Sequence, residues 1–111
     1  MTSYMISKAI PQTQIAYAAA SITGSYTNAG SFSLPVEVLY IMSTLDQPVQ
    51  ISFDGTNDHI AVAAGSIVPV FLTLDFKTNN MVFPKPTIFV KEIGNPTTGS
   101  LYVSAFTASI P

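Results

Sequence analysis

The chain has 111 residues, of which 48% are hydrophobic and 9% charged, and its formal net charge is −2. This length suits one domain, and high hydrophobicity combined with low charge excludes an intrinsically disordered chain. Lysine supplies all four cationic side chains. Such a chain lacks the clustered cations that bind phosphates, so we expect no nucleic-acid partner. The absence of cysteine excludes disulfides and cysteine-containing zinc sites.

The beginning of the chain lacks the features of a targeting segment. Lys8 is the first cationic side chain, and no compact apolar run follows it directly. The mostly apolar stretch 15–22 is eight residues long. A membrane span needs about 20 apolar residues. We therefore expect neither a signal peptide nor contact with a membrane.

Serine and threonine, 24 residues together, replace most charged residues as the polar part of the chain. Hydroxyl groups lose less solvation energy on burial than charged groups do. A charge-poor surface also lacks the repulsion that keeps proteins apart in solution. This composition indicates a protein that lies against other protein.

Short runs of β-branched and aromatic residues, separated by glycine, asparagine, aspartate and proline, predict strands along the chain. The predicted strands cover residues 15–22, 36–42, 49–53, 60–63, 67–76, 87–91 and 101–107. Alternation is clear in 49–53, where Val49, Ile51 and Phe53 point the same way. In 101–107 both alternating faces carry apolar groups, which predicts burial on both sides.

Turn residues predict how neighbouring strands connect. Asp54 and Gly55, followed by Asn57 and Asp58, predict a hairpin over residues 49–63. The loop residues 94–99, which contain two glycines and a proline, predict a second hairpin over residues 87–107. Pro69 predicts an edge position or a bulge, because proline cannot donate to a strand ladder.

Seven short strands at this spacing predict an all-β fold, a single antiparallel β-sandwich with jelly-roll or immunoglobulin-like topology. Residues 9–36 contain no charged side chain. We therefore divide the chain into residues 1–35, an extended N-terminal arm with the first strand, and residues 36–111, the sandwich body. An uncharged extended arm suits strand addition to a neighbouring subunit. A leader followed by one buried strand is the alternative.

Aromatic residues of this N-terminal segment are the candidate anchors into a partner protein. They are Tyr4, Tyr17, Tyr26 and Phe32. Each of them could equally be an ordinary packing residue, since aromatic side chains are core material first.

Residues 54–59 hold the main cluster of potential catalytic or metal-binding groups. His59 follows Asp58, but no nucleophile motif accompanies this pair, so we expect no catalytic residue and no enzyme. Asp54, Asn57 and Asp58 offer oxygen ligands for calcium, although their spacing is not that of an EF-hand loop. These residue types are also the usual ones in turns. We favour a turn and predict no metal and no cofactor. Metal binding by this loop is kept as the alternative.

The segment 49–108 resembles small structural proteins of tailed bacteriophage virions. The similarity is carried by residues 51–55, by the run 67–76 that ends in Leu-Asp-Phe, and by 88–91 followed by 99–106. The resemblance implies a β-sandwich that serves as a capsid cement or decoration protein, often trimeric, or as a small fibre, collar or adaptor component. It transfers no catalytic or ligand-binding residue.

These observations lead us to expect a non-enzymatic cement or decoration protein, located in the virion after assembly in the host cytoplasm. Its expected partners are copies of itself, as a homotrimer, and the major capsid protein or another virion protein. Two alternatives stay open. One is a tail, collar or head-fibre component, and the other is a carbohydrate-binding β-sandwich module, because aromatic residues also form sugar platforms.

Overall fold

A computed structural model describes residues 8–71 and 86–109 of the chain. These residues form nine strands and one short 3-10 turn at Ala19–Ser21. The strands are β1 (Lys8–Pro11), β2 (Ile15–Ala18), β3 (Thr27–Ser31), β4 (Val38–Ser43), β5 (Val49–Ser52), β6 (Ile60–Val62), β7 (Ile67–Phe71), β8 (Thr87–Glu92) and β9 (Ser100–Ser109).

The strands belong to two antiparallel sheets, named A and B. In sheet A, β9 pairs with β4 on one side and with β1 and β2 on the other, and β7 lies outside β4. Sheet B has the order β3-β8-β5-β6. Side chains from both sheets form one apolar cluster, so the predicted all-β sandwich is confirmed.

The strand pairing identifies the sandwich as a jelly roll. β1 and β2 count as one interrupted strand because both are antiparallel to β9, which leaves eight strand positions. The first position pairs with the last, β3 pairs with β8, β4 pairs with β7, and β5 pairs with β6. The described strands therefore form one long hairpin, with its tip between β5 and β6, that is wrapped into two sheets. This nesting excludes the immunoglobulin-like alternative.

Gln12 lies at the interruption between β1 and β2 and supports the backbone there. Its own N–H donates to the carbonyl oxygen of Ala105 at 3.0 Å. Its side-chain amide accepts a hydrogen bond from the N–H of Leu34 and donates one to the carbonyl oxygen of Leu34, each at 3.1 Å. Its Nε2 also lies 2.9 Å from Thr107 Oγ1. Gln12 thus joins the first strand position to the segment between β3 and β4.

The core between the sheets consists mainly of aliphatic side chains at alternate strand positions. Leu39 and Ile41 of β4 are at most 1% exposed, and Val49 and Ile51 of β5 are completely buried. Each such side chain stabilises the fold by about 1.5–3 kcal/mol relative to an exposed position. Among the described residues, every buried side-chain nitrogen or oxygen has a hydrogen-bond partner.

Most strand predictions are confirmed. Each of the seven predicted strands coincides with an observed one to within a few residues, and residues 72–76 of the fifth lie outside the described residues. The second half of the predicted strand 15–22 is wrong, because β2 ends at Ala18 and the 3-10 turn Ala19–Ser21 follows. β1 and β3 were not predicted. The hairpin over 49–63 is confirmed by the pairing of β5 with β6. The edge position of Pro69 is also confirmed, because β7 borders sheet A.

The predicted hairpin over residues 87–107 is wrong. β8 belongs to sheet B, where it pairs with β3 and β5, whereas β9 belongs to sheet A. The connection between them therefore crosses from one sheet to the other. Turn residues in 94–99 show that the chain reverses, but they carry no information about which strand then becomes the partner.

The segment predicted as an N-terminal arm contributes strands to the sandwich of its own chain. β1 and β2 border β9, and β3 borders β8. Within residues 8–35 the chain is thus built into both sheets. Contact of this segment with a neighbouring subunit stays a prediction, and residues 1–7, which include Tyr4, lie outside the described residues.

Candidate functional site

The loop at the tip of the long hairpin, residues 53–59, is organised around Asp54. Its Oδ1 accepts hydrogen bonds from the N–H groups of Thr56 and Asn57, each at 2.8 Å, and from Ser52 Oγ at 2.9 Å. The Asn57 side-chain amide donates to Oδ2 at 2.8 Å. The N–H groups of Asn57 and Thr56 contribute most to holding the pKa of Asp54 well below its usual range. The loop is therefore a turn closed by its own carboxylate.

A second polar cluster connects this loop to sheet B. The hydroxyl of Tyr26 donates to Asp58 Oδ1, and Lys91 Nζ lies 3.2 Å from the same oxygen. Lys91 Nζ also lies 4.7 Å from the centre of the Tyr26 ring, a cation–π contact. Hydrogen bonds from Tyr26 and then Lys91 lower the pKa of Asp58. Partial burial, followed by the hydrogen bond and charge of Asp58, raises the pKa of Tyr26 to about 12.

His59 is oriented by the backbone and by an aromatic neighbour. Its Nδ1 accepts a hydrogen bond from the N–H of Phe53 at 3.0 Å. The two rings stack, with their centres 5.5 Å apart and their planes at 29°. The Nε2 of His59 lies 4.0 Å from Asp54 Oδ2. The carboxylate of Asp58 contacts Tyr26 and Lys91 instead, so the two adjacent residues do not form an oriented His–Asp pair.

The loop carboxylates are occupied by donors of the protein itself. Within residues 8–71 and 86–109, no three His, Cys, Asp or Glu side chains stand close enough together to hold a metal ion. The oxygens of Asp54 accept hydrogen bonds from the loop, and Asp58 bonds to Tyr26 and Lys91. The geometry of the tip loop supports a structural turn.

The aromatic residues predicted as partner anchors do not share one surface. Phe32 is 4% exposed and packs in the core. Tyr17 is half-buried in β2, and its hydroxyl lies 2.6 Å from Thr27 Oγ1 on β3, so it joins the two sheets. Tyr26 belongs to the cluster with Asp58 and Lys91. Tyr4 lies outside the described residues.

A different surface combines the features of an interaction site: the outer face of sheet A, called the uncharged face below. The strand registers place its side chains in rows that cross the sheet. The first row is Ile67, Met42, Tyr102 and Ala16; the second is Pro69, Tyr40 and Ser104; the third is Val38, Phe106 and Pro11. Every side chain described on this face is uncharged.

The uncharged face exposes large apolar side chains on neighbouring strands. Ile67 on β7 is 63% exposed, and Met42, its direct partner on β4, is 41% exposed. Tyr40 is exposed beside them, and Tyr102 and Phe106 on β9 are half-buried. Exposed apolar side chains that lie side by side make this face the strongest candidate for a binding surface among the described residues.

Sequence reasoning missed this face, although its signal is present. In β4, apolar residues occupy both alternating sets: Leu39 and Ile41 are buried, whereas Tyr40 and Met42 are exposed. The same pattern in 101–107 predicts burial on both sides, and this is only partly confirmed. Its inner set is buried, but the outer residues of β9 are only half-buried. Apolar residues on the outward set of two paired strands are thus the signal of such a face.

Comparison with protein-family profiles, with curated proteins and with solved structures yields no match for the chain. None of the helices in the described part of the chain is long and apolar enough to cross a bilayer.

Proposed function

We propose that this chain is a non-enzymatic virion structural protein, a capsid cement or decoration protein that binds the assembled shell and stabilises it. The observation that carries the proposal is the uncharged face, on which Met42 and Ile67 are exposed side by side. Such a patch is suited to contact with other protein. The resemblance of residues 49–108 to small virion proteins is the reason why we propose the virion as the location of this protein.

Stabilisation of a shell requires binding and no reaction. A protein that binds the assembled shell but not its separate subunits stabilises the shell by about 2.7 kcal/mol per site when its free concentration is about 100 times Kd. An apolar face contributes to such binding by about 25 cal/mol for each Å² buried. The described side chains of this face carry no charge that has to be removed from water when the face is covered, so they avoid the usual desolvation penalty of ionic groups.

The proposed partners are the major capsid protein or another virion protein, and further copies of this chain. The resemblance implies a homotrimer, located in the virion after assembly in the host cytoplasm. The jelly roll is compatible with this role because viral capsid proteins use it, as do lectins. A fold shared by several functions supports the proposal without identifying the partner.

Co-sedimentation with capsids tests the proposed function. The purified protein is mixed with empty capsids of the virus that encodes it, and separately with dissociated capsid subunits, and bound protein is measured in the pellet. We expect binding to assembled shells only, together with a higher temperature of shell disruption. Protein that stays in the supernatant, or shells whose thermal stability does not change, would contradict the proposal.

A matched pair of variants tests whether binding depends on the uncharged face. Met42→Asp places a carboxylate on this face, and Ala61→Asp makes the same change at an exposed position of β6 in sheet B. We expect Met42→Asp to abolish shell binding and Ala61→Asp to retain it. Equal binding by both variants would exclude the uncharged face as the carrier of the function.

Cryo-electron microscopy of virions separates the proposed capsid location from the alternative one. Density for a jelly roll of this size on the shell surface supports a cement protein. Density confined to the tail, the collar or a fibre base supports the tail, collar or head-fibre component instead, which uses the same kind of protein contact.

A carbohydrate-binding module is a second candidate because Tyr40 and Tyr102 lie on the same exposed face. Aromatic rings on a sheet can stack on the apolar side of a sugar. A glycan array distinguishes the two functions. Binding that is lost on Tyr102→Ala supports the sugar module, and absence of binding leaves protein as the ligand.

A further inference from the structure

We infer that the uncharged face binds an extended, proline-rich segment of its partner protein, which lies across Ser104 in the polyproline II conformation. The inference rests on the proposed function for the idea that this face contacts a protein of the shell, and it names the kind of segment that is recognised. Three properties of the described residues support it: the shape of the face, its hydrogen-bonding groups and the sheet edge beside it.

Three aromatic side chains surround a small one at the centre of the uncharged face. Ser104 is directly opposite Tyr40 on β4, and Tyr102 and Phe106 lie two residues before and after it on β9. Side chains two residues apart in a strand share one face of the sheet. Tyr40 is 41% exposed, and Ser104 is half-buried. Ser104 is therefore the floor of a notch whose sides are aromatic rings.

One turn of a polyproline II helix matches the length of this notch. Tyr102 and Phe106 are four residues apart. At a rise of about 3.4 Å per residue, this separation is about 14 Å. Polyproline II has three residues per turn and a rise of about 3.1 Å, so one turn is about 9 Å long and fits between the two rings. Aromatic-lined grooves bind such segments well, because the conformation is already formed and little entropy is lost on binding.

The polar groups of the notch suit a ligand whose backbone has acceptors only. Gln14 Nε2 donates a hydrogen bond to Ser104 Oγ at 2.9 Å. A serine hydroxyl also has one donor, and the bond from Gln14 does not use it. The hydroxyl of Ser104 can therefore donate to a carbonyl oxygen that lies above it. Proline residues offer carbonyl oxygens but no N–H groups, so covering a proline-rich backbone leaves no donor without a partner.

These groups favour such a peptide over a sugar. Every sugar hydroxyl that the face covers needs a hydrogen-bond partner, because a buried polar group without one is costly. Apart from the tyrosine hydroxyls, the polar side chains described around the notch are those of Ser104 and Gln14. A ligand with few polar groups to satisfy therefore fits this face better.

The segment lies across the face, because the edge of sheet A beside it is unsuited to strand addition. The N–H of Ser43 donates to the carbonyl oxygen of Ser66 at 2.8 Å. Hydrogen-bonded pairs alternate in an antiparallel ladder, so Tyr40 and Pro69 form a pair without ladder bonds. The nitrogen of Pro69 therefore lies on the open side of β7 and offers no donor to another strand. A proline-rich segment lacks donors as well, so the two could not form the ladder that strand addition requires.

Titration with peptides in the absence of capsids tests the inference. The probe is an acetylated peptide of ten prolines, and a glycine–serine peptide of the same length is its control. Nuclear magnetic resonance of the labelled protein follows binding residue by residue. We expect saturable binding of the proline peptide alone, with the largest shift changes at Gln14, Tyr40, Tyr102, Ser104 and Phe106. No binding, equal binding of both peptides, or shift changes confined to sheet B would overturn the inference.

A matched set of variants tests whether the notch is the binding site. Ser104→Leu fills the notch and removes the hydroxyl, and we expect it to weaken binding of the proline peptide by about tenfold or more. Ser104→Ala removes only the donor and should weaken binding by about fivefold. Ser31→Leu makes the larger change at an exposed position of β3 in sheet B and should bind as the unmodified protein does.

Circular dichroism and thermal unfolding verify that each variant folds. Ser104→Ala keeps the test decisive if Ser104→Leu fails to fold. Binding of the proline peptide that is unchanged in Ser104→Ala, or weakened equally in Ser31→Leu, would overturn the inference. A glycan that binds at Ser104 while the proline peptide does not would also overturn it and would support the carbohydrate-binding module.

The outcomes also separate this inference from the proposed function. A protein that binds the proline peptide but not capsids retains the inference and contradicts the cement function. A protein that binds capsids but not the proline peptide retains the cement function and overturns the inference. Where both bind, we expect the proline peptide, at concentrations far above its Kd, to displace the protein from shells.

Discussion

The two aspartates of the tip loop have different roles, one in the turn and one in an ionic cluster. Asp54 holds the turn by accepting hydrogen bonds from backbone amides, whereas Asp58 contacts Tyr26 and Lys91. Partial burial and then the hydrogen bond and charge of Asp58 keep Tyr26 in the protonated form, because both disfavour a charged phenolate. The consequence is a tyrosine that can be recognised by its titration.

Alkaline titration should show one tyrosine that ionises with a pKa of about 12, the value expected for Tyr26. Ordinary tyrosines ionise near pH 10. The pKa in the folded state is raised, so the stability contributed by Tyr26 is complete below about pH 10 and is lost as pH rises through about 12. Ultraviolet absorbance of tyrosinate and urea unfolding over this range provide the measurements.

Two variants assign this titration. Tyr26→Phe should remove the late-titrating group, and Asp58→Asn should shift it towards the ordinary value because the charge of the carboxylate is gone. A late group that persists in Tyr26→Phe, or tyrosines that all ionise together near pH 10, would contradict the assignment.

At the scale of elements, close contacts between neighbouring segments decide which residues a loop can hold. Gly99 precedes β9 and has φ of +87°, and a Cβ built there would lie 2.0 Å from the carbonyl oxygen of Thr44. Gly65, before β7, also has positive φ, +62°, but a Cβ there meets nothing within 4 Å. Comparison of the two glycines therefore distinguishes the cost of a left-handed backbone, present at both, from the cost of steric overlap, present only at Gly99.

Gly99→Ala should destabilise the fold by at least about 2 kcal/mol, because left-handed strain adds to overlap with an immobile backbone oxygen. Gly65→Ala should cost only about 1 kcal/mol, from strain alone. Urea unfolding gives both values. Equal effects of the two substitutions would show that the segment around Thr44 relaxes to make room.

The open edge of β7 is a second feature at the scale of elements. Pro69→Ala restores an N–H on the open side of β7, and we expect increased light scattering at high protein concentration. Its folding stability should fall by only about 0.4–1 kcal/mol, because proline restricts the unfolded chain. Pro48→Ala, in the loop before β5, is the matched control and should not scatter. Scattering that rises equally in both variants would remove the role assigned to the edge.

The whole molecule has two unlike outer faces. On sheet B the tip loop covers the strands, with Gly55 against the Phe89 ring and Asp58 against Lys91. On sheet A the described side chains are uncharged, and Ile67 is the most exposed large one, at 63%. This asymmetry is the reason why we assign the proposed protein contact to sheet A and not to sheet B.

Association through the uncharged face should depend little on salt. Between about 0.05 and about 0.5 M ionic strength we expect the constant for binding to shells to change by less than about threefold, because the described side chains of this face carry no charge that salt could screen. Sedimentation at several ionic strengths provides the measurement, and a steep fall would indicate that charged residues form the interface.

Local features of the sequence were sufficient for the strands and for one hairpin. Val49, Ile51 and Phe53 alternate with polar residues, and Asp54 with Gly55 supplies the turn, so everything that forms the β5–β6 hairpin lies within fifteen residues. Thr27–Ser31 has weak strand character by itself, and it becomes β3 because β8 lies beside it.

Apart from the β5–β6 pair, the partner of each strand and the use of each face were decided by the tertiary structure alone. β8 and β9 are neighbours in sequence but belong to different sheets, because in a nested hairpin every strand outside the tip pairs with strands far away along the chain. Phe32 could not be distinguished from a surface anchor before its burial was known. Met42 and Ile67 have apolar side chains that would suit a core. They form an exposed surface only because β4 and β7 lie side by side in a sheet whose inner face is already filled.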